Sequence, residues 1–197
     1  MRCPTSLATL HRFTEAATMA DSILSIDFSA AKTGLAYGEP GSRPVLSSQS
    51  FARWQNATLD EVAAAVIQWL PQAIATYQPS LIVVEAALPP IASRNAASAQ
   101  VALGFDFLLR GAANIRGIRC IPVHLSTWRS FAFGTSRIKS AEAKARSIAL
   151  CKGMGWEPKS HDEADAACIF LWAGATHYRK QFDACMPLFA AAQMRAA

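Results

Sequence analysis

The sequence predicts an α/β domain built on one mixed sheet with helices on its faces. Two observations carry this. The first third of the chain holds three short strand-like runs punctuated by Gly, Pro and Ser, the pattern of an antiparallel meander. Helical and strand patterns alternate after it, as they do where crossover helices join parallel strands. The length agrees, because 197 residues suit one ordinary domain and leave no room for two large lobes.

The first strand is Ser22–Phe28, a short apolar run of β character. Gly34–Gly38 follows after a tight connection, and Val45–Phe51 completes the meander. Thr58-Leu-Asp-Glu61 is a capping box, in which Thr58 accepts a backbone N–H and Glu61 reaches back to the cap. Val62, Val66, Trp69 and Leu70 then recur at helical spacing, with Pro71 a candidate kink. Leu81-Ile-Val-Val-Glu85 is apolar up to its acid, as expected of a strand covered on both faces. Ala96–Ala113 reads as a helix, Gly117–Val123 as a strand and Ser140–Lys152 as a helix with a basic side. Ser160-His-Asp-Glu163 is a second capping box and opens a last helix to about Tyr178. The order β-β-β-α-β-α-β-α-α, with five strands, is that of the ribonuclease H-like fold.

Composition excludes several classes. Hydrophobic residues make up 52% and charged ones 17%, the reverse of a disordered chain. No apolar run approaches the roughly 18 residues of a membrane span. The best candidate, Ala164–Ala175, is shorter and contains Asp165. The five cysteines are scattered and form no C-x-x-C pair, so free thiols in a reducing, cytoplasmic setting are expected. Residues 1–20 are interrupted by His11, Arg12 and Glu15 and do not read as a secretory signal. With Met19 as an alternative start, they are expected to be a dispensable extension. Residues 21–180 would form the domain and 181–197 a tail. The net charge of +5 is uneven: Arg94–Lys159 holds eleven basic and three acidic residues. Such a stretch suits a polyanionic partner, or simply a solvated face.

Four acids stand where folding alone does not require them. Asp27 and Glu85 end apolar strands, and Asp162 and Asp165 lie three apart on one helical turn. Buried carboxylates are costly unless compensated. Converging, they would make an oxygen-rich site for Mg²⁺, and two such ions support in-line phosphodiester hydrolysis. Each acid also has an ordinary role to offer. Asp27 can pair with Lys32 or start a turn, Glu85 can cap a strand, and the helical pair can answer the helix dipole.

These segments resemble the RuvC-like Holliday-junction resolvases. Ile23-Leu-Ser-Ile-Asp27-Phe-Ser29 with Thr33-Gly34 is similar to that family's first acidic strand, and Leu81–Glu85 to its second. Arg94-Asn95-Ala-Ala-Ser98, with Leu103-Gly104, resembles the helix that follows. Ser140-Ala-Glu142-Ala-Lys144 resembles its basic helix start, and Asp162-Glu-Ala-Asp165-Ala-Ala its closing D-x-x-D-A motif. The resemblance implies a ribonuclease H-like mixed five-stranded sheet, a homodimer, and metal-dependent nicking of four-way junctions or other branched DNA that leaves 5′-phosphate ends. It implies Asp27, Glu85, Asp162 and Asp165 as catalytic ligands to two Mg²⁺ (Mn²⁺ as a substitute), with His161 a secondary candidate. Arg94, Arg129, Arg137, Lys139 and Lys144 would contact the DNA backbone. No membrane contact is implied, and no helicase partner can be named.

The chain departs from the family at Ala86-Ala87-Leu88-Pro89-Pro90, where bacterial members often carry a junction-inserting aromatic residue. Trp128, Phe131 and Phe133 form an aromatic cluster elsewhere, suited to packing and also to stacking on bases. Three other functions fit parts of the pattern: a nuclease of ribosomal RNA precursors with the same acids, an actin-like or sugar-kinase ATPase, and a non-catalytic DNA-binding module. The ATPase would need a second lobe.

Overall fold

The computed structural model describes residues 21–51, 57–87 and 96–187. Five strands form one sheet: β1 (Ile23–Asp27), β2 (Thr33–Gly38), β3 (Val45–Gln49), β4 (Leu81–Glu85) and β5 (Arg119–Val123). Six helices accompany it: α1 (Leu59–Tyr77), α2 (Ala96–Ile115), α3 (Leu125–Phe133), α4 (Ser140–Gly153), α5 (His161–His177) and α6 (Arg179–Cys185). The sheet order is β3-β2-β1-β4-β5. β1, β2 and β3 pair antiparallel, whereas β4 runs parallel to both β1 and β5. This is the expected meander with parallel strands added.

Alternation along the central strands sorts the core into two halves. Leu24, Ile26, Ile82 and Val84 point to one face, where Val62, Val66 and Leu70 of α1 and Phe105 and Leu109 of α2 cover them. Ile23, Leu81 and Val83 point to the other, against Ala164, Ala167 and Ile169 of α5. Burial on both faces is why these strands read as unbroken apolar runs. The central helix is α5, buried without interruption from Glu163 to Leu171. A helix covered on all sides is apolar all round, which explains the span-like run at Ala164–Ala175. No helix of the described residues is long and apolar enough to cross a membrane.

Local chemistry sets the helix starts. At α1 both halves of the Thr58/Glu61 capping box form, and the helix continues through Pro71. At α5 only half of the expected box forms. Ser160 Oγ accepts the Glu163 N–H at 3.2 Å, but the Glu163 carboxylate accepts the N–H of Lys159 at 2.8 Å. The four cysteines among the described residues are free, as expected.

Two helices were not expected from the sequence. One is α3, whose Trp128 is fully buried and meets Phe133 edge-on at 5.9 Å. Packing, not exposure, is what occupies that indole. The other is α6, which straddles the expected boundary at residue 180. Its Phe182 is buried against Gly174, where a Cβ would come within 2.9 Å of the ring.

Candidate metal centre

The site is built where three elements end together. Ser25↔Val83 and Ile26↔Val84 are register partners in β1 and β4, so Asp27 and Glu85 are next in step. Both follow the period-two alternation onto the face that carries α5. The first turn of α5 supplies Asp162, and the residue just after that turn is Asp165. Ser25 ties the elements together, its hydroxyl lying 2.8 Å from the carbonyl of Ala166 and 3.1 Å from that of Ala36.

Gly34 allows the close approach. It pairs with Asp27 across β1 and β2. A Cβ at Gly34 would lie 1.9 Å from the carbonyl oxygen of Asp162 and 2.8 Å from the Glu163 nitrogen. Those are backbone atoms and cannot swing aside. Any larger residue would push the acidic turn of α5 away from the strand ends.

The acids feel one another. Burial, followed by the charges of Glu85, Asp165 and Asp162, raises the Asp27 carboxyl well above the usual carboxylate range, with Lys144 opposing. Burial pushes Glu85 up to about 7 against the pull of its hydrogen bond from Trp128. Asp165 charge raises Glu85 further, and Arg129 lowers it. Asp165 is raised chiefly by burial, while the Ser147 hydroxyl, Arg129 and Lys144 favour its ionised form. Two of the carboxylates are held by neutral donors. Trp128 Nε1 donates to Glu85 Oε2 at 2.8 Å, and Ser147 Oγ donates to Asp165 Oδ1.

Among the described residues, no three His, Cys, Asp or Glu side chains are drawn together into a ready-made metal cage. The acids stand within electrostatic reach without closing on a point. That arrangement still fits Mg²⁺, which takes oxygen donors, keeps several waters and commonly uses only one or two carboxylates beside a phosphate. The donor set is all oxygen, and a divalent cation would offset both the burial that chiefly raises Asp27, Glu85 and Asp165 and the mutual repulsion that adds to it.

The other candidates divide. Arg129 is 9% exposed, its guanidinium carbon 5.3 Å from the centre of the Trp128 ring, and its Nε has no hydrogen-bond partner. It belongs inside the acid cluster and not on an outer face. Lys144 is exposed on the first turns of α4, near enough to act on Asp27 and Asp165. Arg137 and Lys139 are exposed just before α4. His161 is exposed at the start of α5. Arg94 lies outside the described residues, as do Leu88, Pro89 and Pro90. Sequence reasoning missed the polar roles of Trp128 and Ser147 in this site. The aromatic cluster marks Trp128 in the sequence, but no spacing links it to Glu85, 43 positions away.

No family model matches the chain, and no curated protein matches it. Solved structures do. Thermus thermophilus RuvC in complex with a Holliday junction substrate is similar with a TM-score of 0.61 at 13% identity, over 82% of this chain and 97% of that one. A second structure of Thermus thermophilus RuvC gives 0.58 at 16% identity, over 81% and 96%. The yeast mitochondrial Holliday junction resolvase Ydc2 gives 0.54 at 11% identity, over 86% and 85%. The chain has the ribonuclease H-like fold of the RuvC-like Holliday junction resolvases.

Proposed function

We propose that this chain is a metal-dependent, structure-selective endonuclease that nicks Holliday junctions or other branched DNA and leaves 5′-phosphate ends. One observation carries the proposal: carboxylates from β1, β4 and α5, remote in sequence, stand within electrostatic reach of one another at one end of a resolvase-type sheet, with Lys144 and Arg129 acting on them.

Asp27, Glu85, Asp162 and Asp165 would hold Mg²⁺, or Mn²⁺ in its place, with Asp27 the most central of them. Two such ions supply an activated water and charge neutralisation at the departing 3′-oxygen. The remaining work falls to the chain. Asp165 is buried and Asp27, Glu85 and Asp162 are half-buried, which limits how far bulk water screens their charge. Lys144 and Arg129, whose charges already act on the acids, would offer positive charge to the scissile phosphate. Arg137 and Lys139, exposed just before α4, would contact the flanking backbone, and Arg94 would add to them.

The branched substrate is two-fold symmetric, so two sites in a homodimer would serve it. Helix α2 supports that reading. Leu103 and Phe107 are exposed along it, and a Cβ on Gly104 would meet nothing within 4 Å. Light scattering of the purified chain tests the dimer directly.

The deciding experiment incubates the protein with a synthetic four-way junction, linear duplex DNA and structured RNA, each with and without Mg²⁺. Nicks in the junction that require Mg²⁺ and vanish in Asp27→Asn, with junction binding retained, are expected. Preferential cutting of RNA would move the chain to the RNA-processing reading. Binding without cutting on any substrate would make it a DNA-binding module.

A further inference from the structure

The structure assigns Trp128 of α3 as a positioning residue for Glu85: its indole N–H takes one carboxylate oxygen permanently and so fixes the other for a divalent cation. This rests on Glu85 being a cation ligand, as proposed above.

The argument starts with the donor. An indole N–H donates and cannot accept, and a buried one needs a partner. Trp128 is fully buried, and its partner is Glu85 Oε2 at 2.8 Å. The ring has little freedom to leave. Phe133 lies edge-on against it at 5.9 Å and 72°, and the Arg129 guanidinium sits 5.3 Å from its centre. Glu85 ends a strand whose preceding residues Leu81–Val84 are at most 1% exposed, so its backbone is equally constrained. One oxygen is therefore held between two rigid elements.

The identity of the donor matters as much as its place. A lysine or arginine bonded here would neutralise Glu85 and compete with an incoming cation. A neutral N–H orients the carboxylate and leaves its charge available. Hydrogen bonds of this kind to ligating groups typically contribute about 10- to 100-fold in metal affinity.

The test measures Mn²⁺ binding to the full chain, without DNA, by calorimetry. Trp128→Phe keeps an aromatic ring and removes the donor. It is expected to weaken Mn²⁺ binding by roughly 10- to 100-fold. In a Glu85→Gln background the same substitution should cost nothing further, because the two act as one unit. Unchanged affinity in Trp128→Phe, or an equal additional loss in the Glu85→Gln background, overturns the assignment. A wild-type chain that binds no Mn²⁺ instead removes the ligand reading of Glu85 itself, so the two failures are distinguishable. If Trp128→Phe does not fold, nitrogen-15 spectra of Glu85→Gln read the contact from the other side. One indole N–H resonance should shift in an otherwise native spectrum, and five unmoved indole resonances would sink the assignment.

Discussion

Asp165 shows at the residue scale how a buried carboxylate is kept usable. Its Oδ1 accepts the hydroxyl of Ser147, a buried residue one helix away on α4. Ser147→Ala removes that donor and leaves the oxygen buried without it. The expected cost is about 1–3 kcal/mol at neutral pH, checked by urea unfolding. Glu85 makes the companion prediction, and the sign follows from its shift. The folded-state value is raised from 4.5 to about 7, so the folded chain holds a proton that the unfolded chain releases across that window. The stabilising contribution is complete below 4.5 and is lost as the pH rises through 7. Asp27 and Asp165 are shifted in the same direction and add to it. With divalent ions chelated, the chain should become less stable from pH 4.5 towards 7. Glu85→Gln should flatten that slope, and denaturant midpoints across the window decide it. A slope unchanged in Glu85→Gln would mean that Glu85 is not the group responsible.

Helix α5 dominates the scale of elements. It crosses the sheet as a buried rod, and its first turn with the residue just after it carries half of the acids. What lets that turn reach the strand ends is the missing side chain at Gly34. Gly34→Ala puts a methyl group into the backbone of Asp162 and Glu163. Overpacking of this kind costs about 1–3 kcal/mol, sometimes more. The expected outcome is a lowered melting temperature together with a displaced acidic turn. Mg²⁺-dependent nicking should therefore fall by more than the loss of folded protein explains. Circular dichroism melts beside the junction assay separate the two effects. The α1 cap is a useful contrast. Thr58→Ala should cost about 1 kcal/mol and leave nicking unchanged, because that box sits at the N-terminus of α1 and its hydrogen bonds run between Thr58 and Glu61 alone.

Charge acts at the scale of the whole molecule. The basic excess of Arg94–Lys159 is partly spent within the chain, since Arg110 pairs with Asp106 and Arg146 with Glu142, each one turn along its own helix. Arg137, Lys139 and Lys144 are exposed in or beside the start of α4. Junction binding should weaken steeply as salt rises, by counterion release from the phosphates. Charge reversal at Arg137 and Lys139 should lower affinity and reduce the steepness of that salt dependence while leaving the melting temperature unchanged. Electrophoretic shifts over a salt series check this. Salt-insensitive binding would exclude a backbone-tracking interface.

Local patterns determined much of this protein. Period-two and helical spacing, two capping signatures and turn punctuation were enough to place five strands and four of the six helices among the described residues. They also put Asp27 and Glu85 at strand ends and Asp162 with Asp165 on one turn. Those features depend on residues within a few positions of each other, so one-dimensional periodicity reports them. The short α3 and α6 escaped because each is anchored by one aromatic residue, Trp128 or Phe182, whose partners lie elsewhere in the chain. Tertiary structure alone decided which neutral groups serve the acids. Trp128 is 43 positions from Glu85 and Ser147 is 18 from Asp165. It also buried Arg129 among the carboxylates and gave Gly34 its role as the gap beneath α5. No spacing rule links such residues, because the distance that matters between them is set by how β4, α3, α4 and α5 pack and not by their separation along the chain.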